Sequence, residues 1–166
     1  MTLFRIAIAC TASGVLLAGC AGAPSKDAIE VPDATAPTEA LAAQLDPVVL
    51  EILRYASRAS SSHNAQPWRI EATGAVTLVL LADRSRYLPA VDPENREMFL
   101  SFGAFLENLD QAARALGWRA EITITAQARD AAEIARIRLT RVGGAGDTAT
   151  LNLITSVYTP RGALGG

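Results

Sequence analysis

The sequence predicts an α+β domain, and three observations carry that reading. Asp46-Pro47 and Asp92-Pro93 each stand ahead of apolar residues at three- and four-residue steps, the pattern of helices with one buried face. Trp68 to Ala72, Val76 to Ala82, Trp118 to Thr125 and Ile134 to Val142 are β-rich or alternating runs. The order is helix, hairpin, long helix, strand, strand, helix, with strands and helices grouped rather than strictly alternating. Half of the 166 residues are apolar, enough for one core.

The N-terminal segment stands apart. Residues 1–19 read as a signal peptide: Arg5 is the only cation, and Ile6 to Ala18 is apolar and uncharged. That run is shorter than the roughly 20 residues a spanning helix needs. Leu17-Ala18-Gly19-Cys20 resembles the lipobox of bacterial lipoproteins, which implies lipidation of Cys20 as the mature N-terminus and anchoring on the periplasmic side of the cell envelope. No twin-arginine pair is present. Residues 20–45 are rich in Ala, Pro, Thr and Asp and read as a flexible linker. The domain is expected over 46–166.

Asp46 offers an N-cap acceptor and Pro47 suits the first helical position, where its missing N–H is not needed. Val49, Ile52, Leu53, Ala56 and Ala59 then mark the buried face. The helix runs into Ser60-Ser61-Ser62, whose hydroxyls compete for backbone groups and end it. The two β-runs around Thr73-Gly74-Ala75 read as a hairpin. Asp92-Pro93 repeats the start signal. Met98, Phe102, Phe105, Leu109, Ala112 and Leu116 follow, with Gly117 as a stop. Phe99, Leu100, Ala104 and Leu106 make this helix apolar nearly all round, so it is expected to be buried or paired, with Gly103 permitting close packing. Trp118, Ala120, Ile122 and Ile124 share one strand face, and Ala135, Ile137 and Leu139 share another. Gly143 to Gly146 is a loop without the Gly-Lys-Ser/Thr ending of a phosphate loop. A short helix is expected from Thr148 to Ser156.

The turn between the first helix and the hairpin concentrates chemistry. Ala59 to Trp68 holds three hydroxyls, an imidazole, two carboxamides and an indole beside a Pro-Trp pair. A carboxamide donates and accepts together, so this set suits a planar ligand with many heteroatoms. His63 reads as a loop residue rather than an acid catalyst. Arg84, Arg86 and Arg96 read as a solvated face.

Ser61-Ser62-His63-Asn64-Ala65-Gln66-Pro67-Trp68 resembles the Ser-Ser-x-Asn-x-Gln-Pro-Trp segment of the FMN-dependent nitroreductases. Leu81 to Pro89, Asp92 to Glu97 and Ser101 to Leu109 are similar, in order, to the dormancy-associated, Acg-like branch, whose members carry two related halves. The resemblance covers about Asp46 to Gly117. It implies a nitroreductase-like fold present as an N-terminal half-domain, an FMN cofactor, and hydride passed from a nicotinamide to a small aromatic acceptor such as a nitro compound or quinone. It implies cofactor contacts from Ser61, Ser62, Asn64 and Gln66, and a homodimer or a pairing with a second half-domain. Pro67 and Trp68 would fix the turn against the core. The chain departs from the family at three places. Ser60 stands where members have proline, no arginine-rich start precedes the first helix, and Thr159-Pro160-Arg161-Gly162 stands where the branch opens its second half.

Composition narrows the function classes. Net charge is −2 and aromatics are 5%, so neither a basic surface nor a stacking platform for nucleic acid is evident. The two cysteines, Cys10 and Cys20, precede the domain and there is one histidine, so a structural metal site is not expected. Two functions remain: a membrane-tethered FMN oxidoreductase, and a non-catalytic or truncated envelope lipoprotein on the same half-fold. A serine hydrolase is remote, because no Gly-x-Ser-x-Gly elbow exposes a nucleophile.

Overall fold

Asp46 acts as its position predicts. Its carboxylate accepts a hydrogen bond from the Val48 N–H at 2.8 Å, and Pro47 is the first residue of helix α2 (Pro47–Ala56). The computed structural model describes residues 39–144 and 146–156. The expected signal at 1–19, Cys20, most of the linker and the Thr159 to Gly162 segment lie outside the described residues. The last linker residues form a single helical turn, α1 (Glu39–Ala42), followed by buried Leu45. Helix α2 buries Val49, Ile52, Leu53 and Ala56, and Ala59 is buried just past its end.

Strands β1 (Trp68–Gly74) and β2 (Thr77–Ala82) form the expected antiparallel hairpin, with Ile70 opposite Leu80 and Ala72 opposite Leu78. The ladder slips between Ala72 and Gly74. A Cβ on Gly74 would come within 2.7 Å of Thr77 Oγ1, so the bend needs glycine unless that side chain moves.

Helix α3 (Arg96–Ala115) starts later than Asp92-Pro93 predicts. Asp92 is buried and caps from outside the helix: one carboxylate oxygen accepts from the Arg96 N–H at 2.7 Å and the other from Met98 at 3.0 Å. Satisfying two first-turn donors with one side chain makes the chain loop before the helix begins. Asn95, at φ 56°, supplies the left-handed residue for that loop, a conformation asparagine tolerates. Burial pushes the Asp92 carboxyl up, but backbone N–H groups of Met98, Glu97 and Arg96, with Arg129 nearby, outweigh it and hold the pKa below its ordinary value.

Helix α3 is embedded through Met98, Phe102, Phe105, Leu106, Leu109, Ala112 and Ala113. The all-round apolar reading is corrected on one strip, because Leu100 is 74% exposed. Gly103 lies on the same strip, and a Cβ there would meet nothing within 4 Å, so the expected close packing is not made within the described chain. Phe102 and Phe105 are each 1% exposed and contribute about 1.5–3 kcal/mol apiece by burial.

Strands β3 (Trp118–Ile124) and β4 (Glu133–Arg141) complete one four-stranded antiparallel sheet, in the order β1-β2-β4-β3. The register puts Leu78 and Ile122 opposite Ile137, and Ala120 opposite Leu139, so the apolar sets of the strands share one face. Ile124 departs from the reading and is 57% exposed at the strand's end. Gly117, at φ 75°, turns the chain from α3 into β3, and its carbonyl accepts from the Val142 and Gly143 N–H groups, each at 3.0 Å. Helix α4 (Thr148–Ser156) starts as expected and is capped by Asp147, whose carboxylate accepts from the Ala149 and Thr150 N–H groups. Hydrogen bonds from Thr150 lead in holding the Asp147 pKa below its ordinary value. The other sheet face carries Arg69, Glu71, Thr77, Glu121, Arg136 and Arg138. The architecture is therefore α+β, with α2, α3 and α4 contributing to a core that the sheet closes.

Candidate functional site

Helix α2 ends at Ala56, and the chain then makes a tight turn before β1. Residues Ser62–Asn64 form a tight 3-10-like turn that is broken by non-helical backbone at His63. His63, Asn64 and Gln66 have positive φ, at 51°, 56° and 48°. Such left-handed backbone costs most non-glycine residues about 1–2 kcal/mol and asparagine less. Three in a row of four is strain that the surroundings must hold, and strain of this kind concentrates at functional sites.

The braces are visible. Inside the turn, Ser61 Oγ accepts from the Gln66 N–H at 3.0 Å, and the Asn64 and Ala65 N–H groups donate to the Ser61 and Ser62 carbonyls. From α3, Ser101 Oγ accepts from the Ser62 N–H at 3.2 Å while donating to the Glu97 carbonyl at 2.8 Å. The Ser62 hydroxyl donates to the Glu97 carboxylate. From a second 3-10 turn, Arg84–Arg86, the Arg86 guanidinium donates to the Ala65 carbonyl at 3.1 Å and pairs with Asp83 at 3.3 Å. The Asp83 N–H donates to the Pro67 carbonyl at 2.8 Å. The Ser85 hydroxyl leads in holding Asp83 below its ordinary pKa, against burial and with help from Arg86. Pro67 and Trp68 are buried, and the Trp68 ring packs on Phe105 with centroids 5.1 Å apart.

The structure thus brings Ser61, Ser62, Asn64 and Gln66 onto one short turn at the surface, with Asn64 exposed and the others half-buried. Their hydrogen-bonding capacities differ. The Ser62 proton is committed to Glu97, so its oxygen is left to accept. Ser61 accepts from the backbone, which leaves its own proton free to donate. Gln66 Nε2 reaches Asn64 Oδ1 only at 3.5 Å, so both carboxamides keep donors and acceptors to offer. His63 is exposed, and its ring has no hydrogen-bond partner among the described residues.

Sequence reasoning missed Glu97, Ser101 and Arg86 as parts of this site. Ser101 carries a usable signal: a serine 4% exposed in an apolar helix needs a buried partner. Arg84, Arg86 and Arg96 are all engaged, with the Asp130 carbonyl, with Asp83 and Ala65, and with Glu94. Arg54 and Arg58, just ahead of the turn, make no side-chain ion pair among the described residues.

Behind the turn, between Ser62, Pro67, Tyr87 and Ser101, lies a cavity of only about 10 Å³. That is water-sized, too small for a ring ligand. The Tyr87 hydroxyl and the Trp68 indole N–H are buried without a hydrogen-bond partner among the described residues. Burial pushes the Tyr87 pKa up; Arg84 opposes this from nearby without reaching hydrogen-bond geometry. A larger concavity, about 450 Å³, lies on the open sheet face among Thr73, Thr77, Glu121, Arg136 and Arg138. Arg136 there is paired with Glu133 at 2.8 Å, and Glu121 sits opposite Arg138, the pattern of a solvated charged face. Among the described residues no group of three or more His, Cys, Asp or Glu side chains is placed to hold a metal, and no helix is long and apolar enough to cross a membrane.

No family model matches the chain. It is similar to three Mycobacterium tuberculosis proteins. Over 90 residues it is 36% identical to the uncharacterized protein Rv3127, and over 89 residues 35% identical to one that bears the provisional name NAD(P)H nitroreductase Rv3131. Over 75 residues it is 39% identical to another provisionally named NAD(P)H nitroreductase acg. These stretches cover 52%, 54% and 45% of this chain, but only 26%, 26% and 22% of the relatives, so the match spans about a quarter of their length. Among solved structures, a nitroreductase-like protein from Streptococcus mutans matches with a TM-score of 0.48 and 18% identity, over 63% of this chain and 82% of that one. Over about half its length, then, this chain is similar to nitroreductase-named proteins.

Proposed function

We propose that this chain is a flavoprotein oxidoreductase of the nitroreductase type, tethered to the envelope through Cys20, with Ser61, Ser62, Asn64 and Gln66 as its cofactor contacts. The carrying observation is the braced, strained turn. Its free groups are one hydroxyl donor, one hydroxyl acceptor and two carboxamides. That donor set fits the ring edge of FMN, where carbonyl acceptors flank an N–H donor.

When bound, the flavin supplies hydride transfer between a nicotinamide and a nitro, quinone or similar acceptor. The chain's own part is orientation. Positive φ at Asn64 and Gln66 shapes the turn that carries both carboxamides, and the links from Ser62 and Ala65 to Glu97, Ser101 and Arg86 hold that turn before any ligand arrives. Preorganised dipoles need not reorganise during reaction. Trp68 on Phe105 anchors the turn to the core. Similarity to the nitroreductase-named relatives supports the same reading, and a homodimer or a second half-domain would complete the site.

The test is direct. Add FMN to the purified full chain in detergent, remove free ligand and record the visible spectrum. A retained flavin band that bleaches with a nicotinamide donor and returns with a quinone is expected. A colourless protein sinks the proposal. One observation favours the second reading, a non-catalytic envelope lipoprotein: Asp46 and Pro47, not arginines, stand at the start of α2. Turnover of a nitroaromatic or quinone would end that alternative.

A further inference from the structure

We infer that Glu97 is a positioning residue that turns Ser62 into an acceptor-only contact, so that the site selects ligands presenting an N–H at that point. This rests on the flavin reading and adds an orientation to it.

A serine hydroxyl has one proton and two lone pairs. The Ser62 proton is spent on the Glu97 carboxylate, an acceptor without donors when ionised. Glu97 is held in turn by its place on α3, where its carbonyl takes the Ser101 hydroxyl and Ser101 takes the Ser62 N–H. The serine hydroxyl cannot rotate to donate elsewhere without abandoning a charged partner, and charge-assisted hydrogen bonds are roughly twice as strong as neutral ones. Ser61, one residue earlier, is in the opposite state: its oxygen is taken by the Gln66 N–H and its proton is free.

The two adjacent serines are thus an ordered donor–acceptor pair. A ligand edge that places a carbonyl at Ser61 and an N–H at Ser62 satisfies both. A cyclic imide has that order, and the pyrimidine ring of a flavin carries one. A phosphate or carboxylate at Ser62 would meet a lone pair backed by the Glu97 charge. The phosphate-bearing end of the ligand therefore points away from Glu97.

The test uses two phosphate-free probes, lumiflavin and N3-methyllumiflavin, titrated into the full chain in detergent with flavin fluorescence as the readout. The native chain should bind lumiflavin at least about tenfold tighter, the size of one hydrogen bond to a charged network. Glu97→Ala should bring that ratio close to one. Glu97→Gln, which keeps the shape, should also reduce it, because a neutral carboxamide holds the Ser62 proton less firmly and can itself donate to the Ser62 oxygen. Thermal melts identify a variant that merely unfolds. Equal binding of both probes by the native chain, or an undiminished preference in both folded variants, overturns the inference and leaves the flavin reading intact. Failure of the native chain to bind either probe removes both.

Discussion

Replacing Gln66 with glycine should stabilise this protein and weaken its hold on a flavin. Gln66 sits at φ 48°, where a side chain costs about 1–2 kcal/mol. Glycine removes that cost but loses about 0.5–1 kcal/mol more backbone freedom on folding. The Gln66 N–H bond to Ser61 survives the change, and the side chain gives up only its 3.5 Å contact with Asn64. The balance is a gain of about 0.5–1 kcal/mol, or about 2–5 °C in Tm for a domain of this size. Loss of the carboxamide should weaken FMN binding by about 1–3 kcal/mol, some fivefold to more than a hundredfold. Gln66→Ala is the control. It keeps the strained backbone and removes the same amide, so FMN binding should fall equally while Tm hardly moves. The assays are thermal unfolding without ligand and flavin fluorescence titration. A lower Tm for Gln66→Gly would mean that the turn stores no strain at this residue. Unchanged FMN affinity in both variants would remove Gln66 from the site.

Asn64→Ala should weaken FMN binding by about 1–3 kcal/mol in the same titration, and unchanged affinity would exclude Asn64 as a contact. Asp92 gives a pH prediction. Its folded pKa lies below the ordinary 3.8, so its contribution to stability is complete above that value and is lost as pH falls through the folded pKa. The stability gap between the native chain and Asp92→Asn, measured by urea unfolding, should therefore hold steady from pH 7 to about 5 and close below about 4; a gap that widens on acidification would contradict the capping assignment. Cys20→Ser should abolish incorporation of labelled fatty acid and release the protein from the membrane fraction; an unchanged distribution would refute the lipid anchor.

The elements that were legible in the sequence are those set by neighbours along the chain. Asp46-Pro47 fixes the start of α2 because cap and first turn lie within three residues. The alternation of Ala135, Ile137 and Leu139 with Arg136, Arg138 and Thr140 decides which face of β4 is buried, since side-chain direction has period two. Asp92-Pro93 misled because an identical pair caps from farther out once its carboxylate is buried and takes two donors. The turn was legible as a cluster of polar side chains, but not its shape. Nothing local predicts left-handed backbone at His63 or Gln66, in a turn whose Ser62 N–H donates to Ser101 and whose Ala65 carbonyl accepts from Arg86, partners 39 and 21 residues away. Glu97 lies in the first turn of α3, 35 residues from the serine it binds, so no local pattern joins the two.

Helix α3 contacts the turn through Glu97 and Ser101 and the core through Phe102, Phe105 and Leu109. This has an evolutionary consequence. A side chain about 5 Å from a helix axis moves by ~1 Å when the helix rolls by ~10°. Functional constellations tolerate about 0.5 Å. A lineage that exchanges one core aromatic for a smaller residue, and lets α3 roll to fill the space, would therefore misplace Ser62 without mutating any residue of the turn. With the proposed site on the turn, drift in this domain's interior is constrained by a loop on its surface, and substitutions at Phe102, Phe105 and Leu109 should be accepted in compensating sets that preserve the helix's roll, or not at all.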